Sequence, residues 1–245
     1  MRARITLLLF AILYSFTCLA QTNFEKHFTK KSLRIDFALS GNWDFQAAAI
    51  QQLREEPVWA GPVKNLIDPF GYGGYYINVY DKAGKELIYS RGFNTLFEEW
   101  RSTEQAKTET QSWTNSISIP YPKAPVIIEI TARDKADMQF HPLLKQEIDP
   151  ASIFIDRGKL KENRITKIQY NGDSSGKVDL VFLAEGYTAD EQEKCVADAK
   201  RFTEALFKTP PYDTRREDFN VWAVDAVSEE SGTDVSGKGI FKNTA

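Results

Sequence analysis

The chain has 245 residues, 42% hydrophobic and 27% charged, a globular composition that excludes a disordered tail or a membrane bundle and leaves room for one large domain or two smaller ones. Its formal net charge is -3, and the 31 Lys and Arg are scattered among 34 acids, so no basic segment marks a nucleic-acid partner.

Residues 1–20 follow different rules from the rest. Arg2 and Arg4 form a basic start, ITLLLFAILYSF an apolar core, and CLA before Gln21 ends in a small residue, which predicts a signal peptide cleaved near Ala20. The apolar run is shorter than the roughly 20 residues a spanning helix needs, which favours secretion over anchoring and leaves no transmembrane segment after cleavage. Ser15-Phe16-Thr17 lacks the small residues that precede a lipidated cysteine, so Cys18 is not read as a lipid site. The expected destination is the periplasm, the cell surface or the medium. Cys195 is then the one remaining cysteine, and no internal disulfide can form. It falls inside an amphipathic helix, far in sequence from His27 and His141, and reads as a buried small hydrophobe rather than a nucleophile.

Residues 21–150 read as an all-β antiparallel sandwich. In YYINVY, Tyr75, Ile77 and Val79 alternate with polar-side positions, and ELIYS follows a turn containing Gly84, which predicts a hairpin. PVIIEITARD puts Val126, Ile128 and Ile130 on one face, and SISIP ends at a proline as an edge or terminal strand does. NTLFEEWRSTEQAKT is expected to be a short helix or an irregular connection, and EEPVWAGPVKN an ordered loop. Trp43, Trp59, Trp100 and Trp113 all fall in this half. A sugar-binding surface is one use for them, but large aromatics dominate ordinary cores, and core packing is expected.

Residues 151–177 are expected to be a linker with short strands, and residues 178–245 the beginning of an α/β domain. VDLVFLAEG is an almost unbroken apolar run, as in a strand buried on both faces. Thr188 and Glu191 suit a capping box, opening a helix to about Phe207 whose apolar side is Val196, Ala199, Phe202, Leu206 and Phe207. TPPYD stops it, and DFNVWAVDAVS supplies a second strand, so the unit is a strand, a helix and a parallel strand.

Sites in open α/β sheets gather at the carboxyl ends of strands. That places Glu185 and Tyr187 beside Asp225, Ser228, Glu229 and Glu230, around one crevice, although capping and loop-tying are the more ordinary uses of such groups. A hydrolase using Glu185 and Asp225 as paired carboxylates is a further alternative, requiring them roughly 5 to 9.5 Å apart. SEESGTDVSGKG lacks the spacing of a phosphate loop, and AEGYTAD lacks that of a dinucleotide site. The two histidines, His27 and His141, lie outside residues 178–245, and no His-Glu-x-x-His occurs anywhere. No catalytic, cofactor-binding or metal-binding residue is therefore assigned.

VDLVFLAEGYTADEQ followed by FNVWAVDAVSEESGTD resembles the opening of the catalytic domain of the secreted bacterial immunoglobulin A peptidase family, which are zinc metallopeptidases. VWAGP, YYINVYDKAGKELIYSRGF and TLFEEW resemble that family's N-terminal β-sandwich, so the resemblance runs from about Ser32 onward. It implies a secreted endopeptidase acting on protein or glycoprotein, in which two histidines of a His-Glu-x-x-His helix bind zinc and the glutamate activates water. Zinc lowers the pKa of bound water and polarises the scissile carbonyl. None of those ligands maps onto a residue of this chain, because in the family they lie beyond the segment matching GIFKNTA. The expectation is the N-terminal portion of such an enzyme, a fragment without activity alone. The alternative is a secreted, non-enzymatic sandwich module binding protein or glycan.

Overall fold

The computed structural model describes residues 22–83, 85–159 and 163–244. The expected signal peptide, Cys18 and the turn residue Gly84 lie outside them. The chain divides into two compact units after Arg157.

The first unit is a pair of facing sheets. A short helix, α1 (Phe24–His27), leads into β1 (Phe28–Gly41), which forms a sheet with β2 (Gln46–Glu56), β5 (Gln111–Pro122) and β8 (Ile155–Asp156) in the order β5-β1-β2-β8. The second sheet holds β3 (Tyr75–Asp81), β4 (Leu87–Phe93), β6 (Val126–Arg133) and β7 (Phe140–Ile148) in the order β4-β3-β6-β7. Every pairing is antiparallel except the short parallel contact of β8 with β2. SISIP lies within β5, an edge strand. Leu33, Ile35, Phe37, Leu39 and Ile119 from one sheet share a core with Tyr75, Ile77, Val79, Ile128 and Ile130 from the other. The alternations at 75–80 and 126–131 thus place the expected residues inward.

In β2 strict alternation breaks. The inward residues Ala48, Ile50 and Leu53 change from even to odd numbering, and a bulge absorbs the change: Phe37 pairs with Ile50 and Asp36 with Gln52, leaving Gln51 without an opposite residue. The extra residue lets both halves of the strand point their apolar side chains into one core.

The tryptophans divide. Trp59, in the loop after β2, is buried; its backbone N–H donates to Lys30 O at 2.7 Å and its indole N–H to Pro62 O at 3.0 Å. Trp100 is buried in helix α2 (Leu96–Trp100), which Thr95 caps by accepting from Glu98 N at 3.2 Å. Trp113 packs half-buried against the core. Trp43 departs from the core expectation: it is 53% exposed, because it stands at the tip of the β1–β2 turn, where neither sheet has a layer to cover it.

The second unit is smaller and mixed. β9 (Arg164–Gln169), β10 (Val178–Leu183) and β11 (Phe219–Asp225) form a sheet in the order β10-β11-β9, with β10 parallel and β9 antiparallel to β11. Helix α3 (Gln192–Leu206) lies between β10 and β11 in the chain. The residues expected as a linker are shared out, since Ile155–Asp156 joins the first unit's sheet and Arg164–Gln169 the second's. The capping box forms as expected, with the Glu191 carboxylate accepting from Thr188 N at 3.0 Å.

Two sequence expectations fail here. The buried stripe of α3 runs through Cys195, Ala199 and Thr203 to Phe207, rotated from the predicted side, so that Phe202 is 50% exposed. Thr203 tolerates burial by donating its hydroxyl to Ala199 O at 2.8 Å. β10 is not buried on both faces: Val181 is 46% and Leu183 76% exposed. The cause is position. β10 is an edge strand, and Phe182, which meets the Phe202 ring at 6.5 Å, shows that α3 covers the face opposite Val181 and Leu183. Ile165 on β9 pairs with Val224 and is 63% exposed, which extends the open apolar face across the sheet.

A sheet covered on one face has a smaller core and opens more readily than a closed sandwich. Limited proteolysis is therefore expected to degrade the second unit and leave a resistant fragment ending near Arg157, read by mass spectrometry. A resistant species that keeps residues 158–244 would contradict this.

Candidate functional site

The loops at the carboxyl ends of β10 and β11 do converge. Gly186 N donates to the buried Ser228 hydroxyl at 2.9 Å, Ser228 N to Tyr187 O at 2.9 Å, and Gly232 N to Gly186 O at 2.9 Å. Gly186 has φ +76°, and a Cβ there would overlap the Gly232 carbonyl oxygen, so only glycine permits the close approach. The acids serve the same purpose. Glu185 accepts from the Thr244 hydroxyl at 2.9 Å, Glu229 from Asn243 Nδ2 at 2.5 Å, and Glu230 from Asn243 N at 2.7 Å.

Tyr187 turns away from these loops. Its hydroxyl donates to Asp198 Oδ2 at 3.1 Å, and Lys194 Nζ sits 5.0 Å from the centre of its ring. Burial, then the hydrogen bond to Asp198, pushes its pKa up. Asp198 is the hub of this group. Lys194 at 2.7 Å, Arg201 at 3.0 Å and the tyrosine together hold its pKa down to about 2, the Lys194 hydrogen bond contributing most. Sequence reasoning missed Asp198, although Lys194 four residues before it and Arg201 three after are the spacing of neighbours on one helix face.

Asp225 has the least ordinary surroundings. It ends β11 on the α3-facing side, with its side chain 3% exposed. Arg164 Nε lies 3.3 Å from Oδ2, but among the described residues neither carboxylate oxygen accepts a hydrogen bond. Its charge, after burial itself, helps raise the pKa of the buried Cys195 thiol, with Asp198 acting in the same sense. Cys195 is thus held as the neutral thiol, which fits the reading of it as a small hydrophobe rather than a nucleophile. The paired-carboxylate alternative fares badly: Glu185 is exposed, while Asp225 is closed in beneath α3, so the two do not flank one open cleft.

The donors present do not fit zinc. Among the described residues no three His, Cys, Asp or Glu side chains are grouped to hold a metal ion. Both histidines belong to the first unit, where His141 Nε2 lies 2.8 Å from Asp137 Oδ2 and His27 is in α1. The second unit offers one thiol, buried and kept neutral. No catalytic step is derived through a metal in this chain. No helix among the described residues is long and apolar enough to cross a membrane.

A facing-sheet unit followed by a mixed sheet with knitted strand-end loops defines a two-part, β-rich protein. Two family models match it in sequence order, Peptidase M64 N-terminus over residues 23–143 and IgA Peptidase M64 over residues 166–245. The chain belongs to the IgA peptidase M64 family. Comparison with curated proteins gave no match.

Two predictions follow from these contacts. Arg164→Ala leaves the buried Asp225 charge without its partner and is expected to destabilise the second unit by about 1–3 kcal/mol, whereas Asp225→Asn, which frees an exposed arginine into water, is expected to leave stability unchanged or higher. Urea titration of both variants checks this. The depressed pKa of Asp198 makes its contribution fully present above its unfolded value of 3.8 and lost as pH falls through about 2. Far-UV circular dichroism melts across that window should show the loss, and Asp198→Asn should remove that part of the pH dependence.

Proposed function

We propose that these residues are the amino-terminal part of a secreted zinc metalloendopeptidase acting on protein or glycoprotein, consisting of a β-sandwich domain and the start of an α/β catalytic domain. The observation that carries this is the succession of the two family matches, 23–143 and then 166–245, along one chain. The β10-α3-β11 arrangement, with its strand-end loops tied together, supports the α/β assignment, since such ends are where active sites of these sheets form. The basic start and apolar core of residues 1–20 support export.

In this reading the second unit is scaffold. Gly186, Ser228 and Gly232 fix the floor of the strand ends, and the open face of Val181, Leu183 and Ile165 is the surface on which further elements of a catalytic domain would pack. The 245 residues supply no His-Glu-x-x-His, and the polypeptide they form is proposed to be inactive alone.

Purified, this polypeptide is expected to retain less than one zinc per chain by elemental analysis and to release no peptides from casein. A chain extended through a His-Glu-x-x-His segment is expected to bind zinc stoichiometrically and to cleave casein in a chelator-sensitive manner. Chelator-sensitive cleavage by the 245 residues alone would overturn the reading.

A further inference from the structure

The first unit holds a cleft of about 490 Å³ at the end of the sandwich where the β1–β2 turn faces the connection from β6 to β7. Its lining includes Trp43, Asp44, Phe45, Arg101, Asp134 and Lys135. The volume lies within the roughly 300–1,000 Å³ of small-ligand sites.

The two aromatic rings have no part in the core, with Trp43 53% and Phe45 60% exposed. The turn that carries them is nonetheless held firmly. Asn42 Oδ1 accepts from Asp44 N at 3.0 Å and Phe45 N at 2.9 Å, and Asn42 N donates to Phe45 O at 2.8 Å. Arg101 reaches across to donate to Asn42 O at 2.7 Å and Trp43 O at 3.2 Å, while Trp43 N donates to Ala106 O at 3.1 Å. These bonds all run through the turn's backbone or Asn42, so none of them depends on the rings. Exposed aromatic side chains on a rigid support lose little freedom when a ligand arrives.

The opposite wall is also fixed. Arg133 donates to Gly73 O at 3.2 Å and Met138 O at 2.9 Å, and its guanidinium lies 4.3 Å from the Phe140 ring centre. Asp134 N donates to Gln139 O at 2.8 Å, closing the turn that carries Lys135.

The chemistry of the lining selects a ligand. Acceptors (Asp44, Asp134) and donors (Arg101, Arg133, Lys135) stand together, so groups of both signs face one space. Hydroxyl groups, which both donate and accept, suit such a mixed set. The apolar C–H face of a pyranose packs on an indole. The cleft also borders the edge strand β7 through His141 and Leu143, where an extended peptide could pair its backbone, so a peptide is the competing occupant that the test separates. We propose that this cleft binds a neutral oligosaccharide, with a sugar ring on Trp43 and its hydroxyls on Asp44, Asp134, Arg101 and Lys135.

The test titrates the whole chain with chitohexaose, cellohexaose, xylohexaose and mannohexaose, with sialyllactose and a gelatin peptide digest alongside, read by calorimetry and tryptophan fluorescence. Saturable binding of at least one neutral hexaose is expected, weakened by about tenfold or more in Trp43→Ala and in the Asp44→Ala/Asp134→Ala pair. Circular dichroism melts confirm that the variants fold, and Trp43→Phe, which keeps a ring, should retain part of the affinity. No saturable binding of any neutral hexaose, binding confined to sialyllactose or the peptides, or hexaose binding that survives Trp43→Ala would each overturn the proposal. The readout is independent of zinc and of proteolysis.

Discussion

The first unit depends on β1 being paired on both sides. From Ser32 to Gly41 it pairs with β2 along one edge and with β5 along the other, and its inward residues Leu33, Ile35, Phe37 and Leu39 are fully buried against the second sheet. Register is set here, because a slip of one residue would carry all four side chains to the outer face. The neighbouring parts answer to this strand. The bulge at Gln51 keeps β2 in phase with it, Trp59 hangs its loop on Lys30 O, and the turn after Gly41 carries Trp43 and Phe45 into solvent. On the outer face Arg34 and Asp36 bind side by side at 2.8 Å, so that a carboxylate in the most buried strand remains paired.

The second unit is organised differently. Its polar side chains mostly tie separate segments together, and Asp179 joins its strand to β11 by accepting from Asn220 Nδ2 at 3.0 Å and Trp222 Nε1 at 2.8 Å. Those bonds give the loops definite positions without a deep core beneath them. Shape at the strand ends is therefore set by glycine contacts and hydrogen bonds, while hydrophobic burial is concentrated under α3.

Much of this was legible in the sequence where a local rule acts alone. Alternation at Tyr75–Tyr80 and Val126–Ile130 located two inner strands, and Thr188 with Glu191 located the start of a helix. What escaped depended on neighbours distant in the chain. The apolar run Val178–Leu183 gives no sign that its strand will lie at an edge, and the helix face could not be fixed because Cys195 and Thr203 are poorer hydrophobic markers than Phe202. At the strand ends the loops were correctly brought together, but composition could not say that Tyr187 would turn to Asp198 or that Asp225 would be enclosed. Among the tryptophans, residue type argued equally for burial at all four positions, and only the tip of a turn set Trp43 apart.

The pairing of β1 also imposes an order on synthesis. β1 and β2 are neighbours in the chain and can pair as soon as residue 56 is made, but the other edge of β1 waits for β5, which begins at Gln111. Until then the growing chain carries a long hairpin with apolar residues on one side and an unsatisfied edge, the kind of surface that recruits wrong partners. The length of the gap between β2 and β5 sets how much chain must be made before that edge is covered.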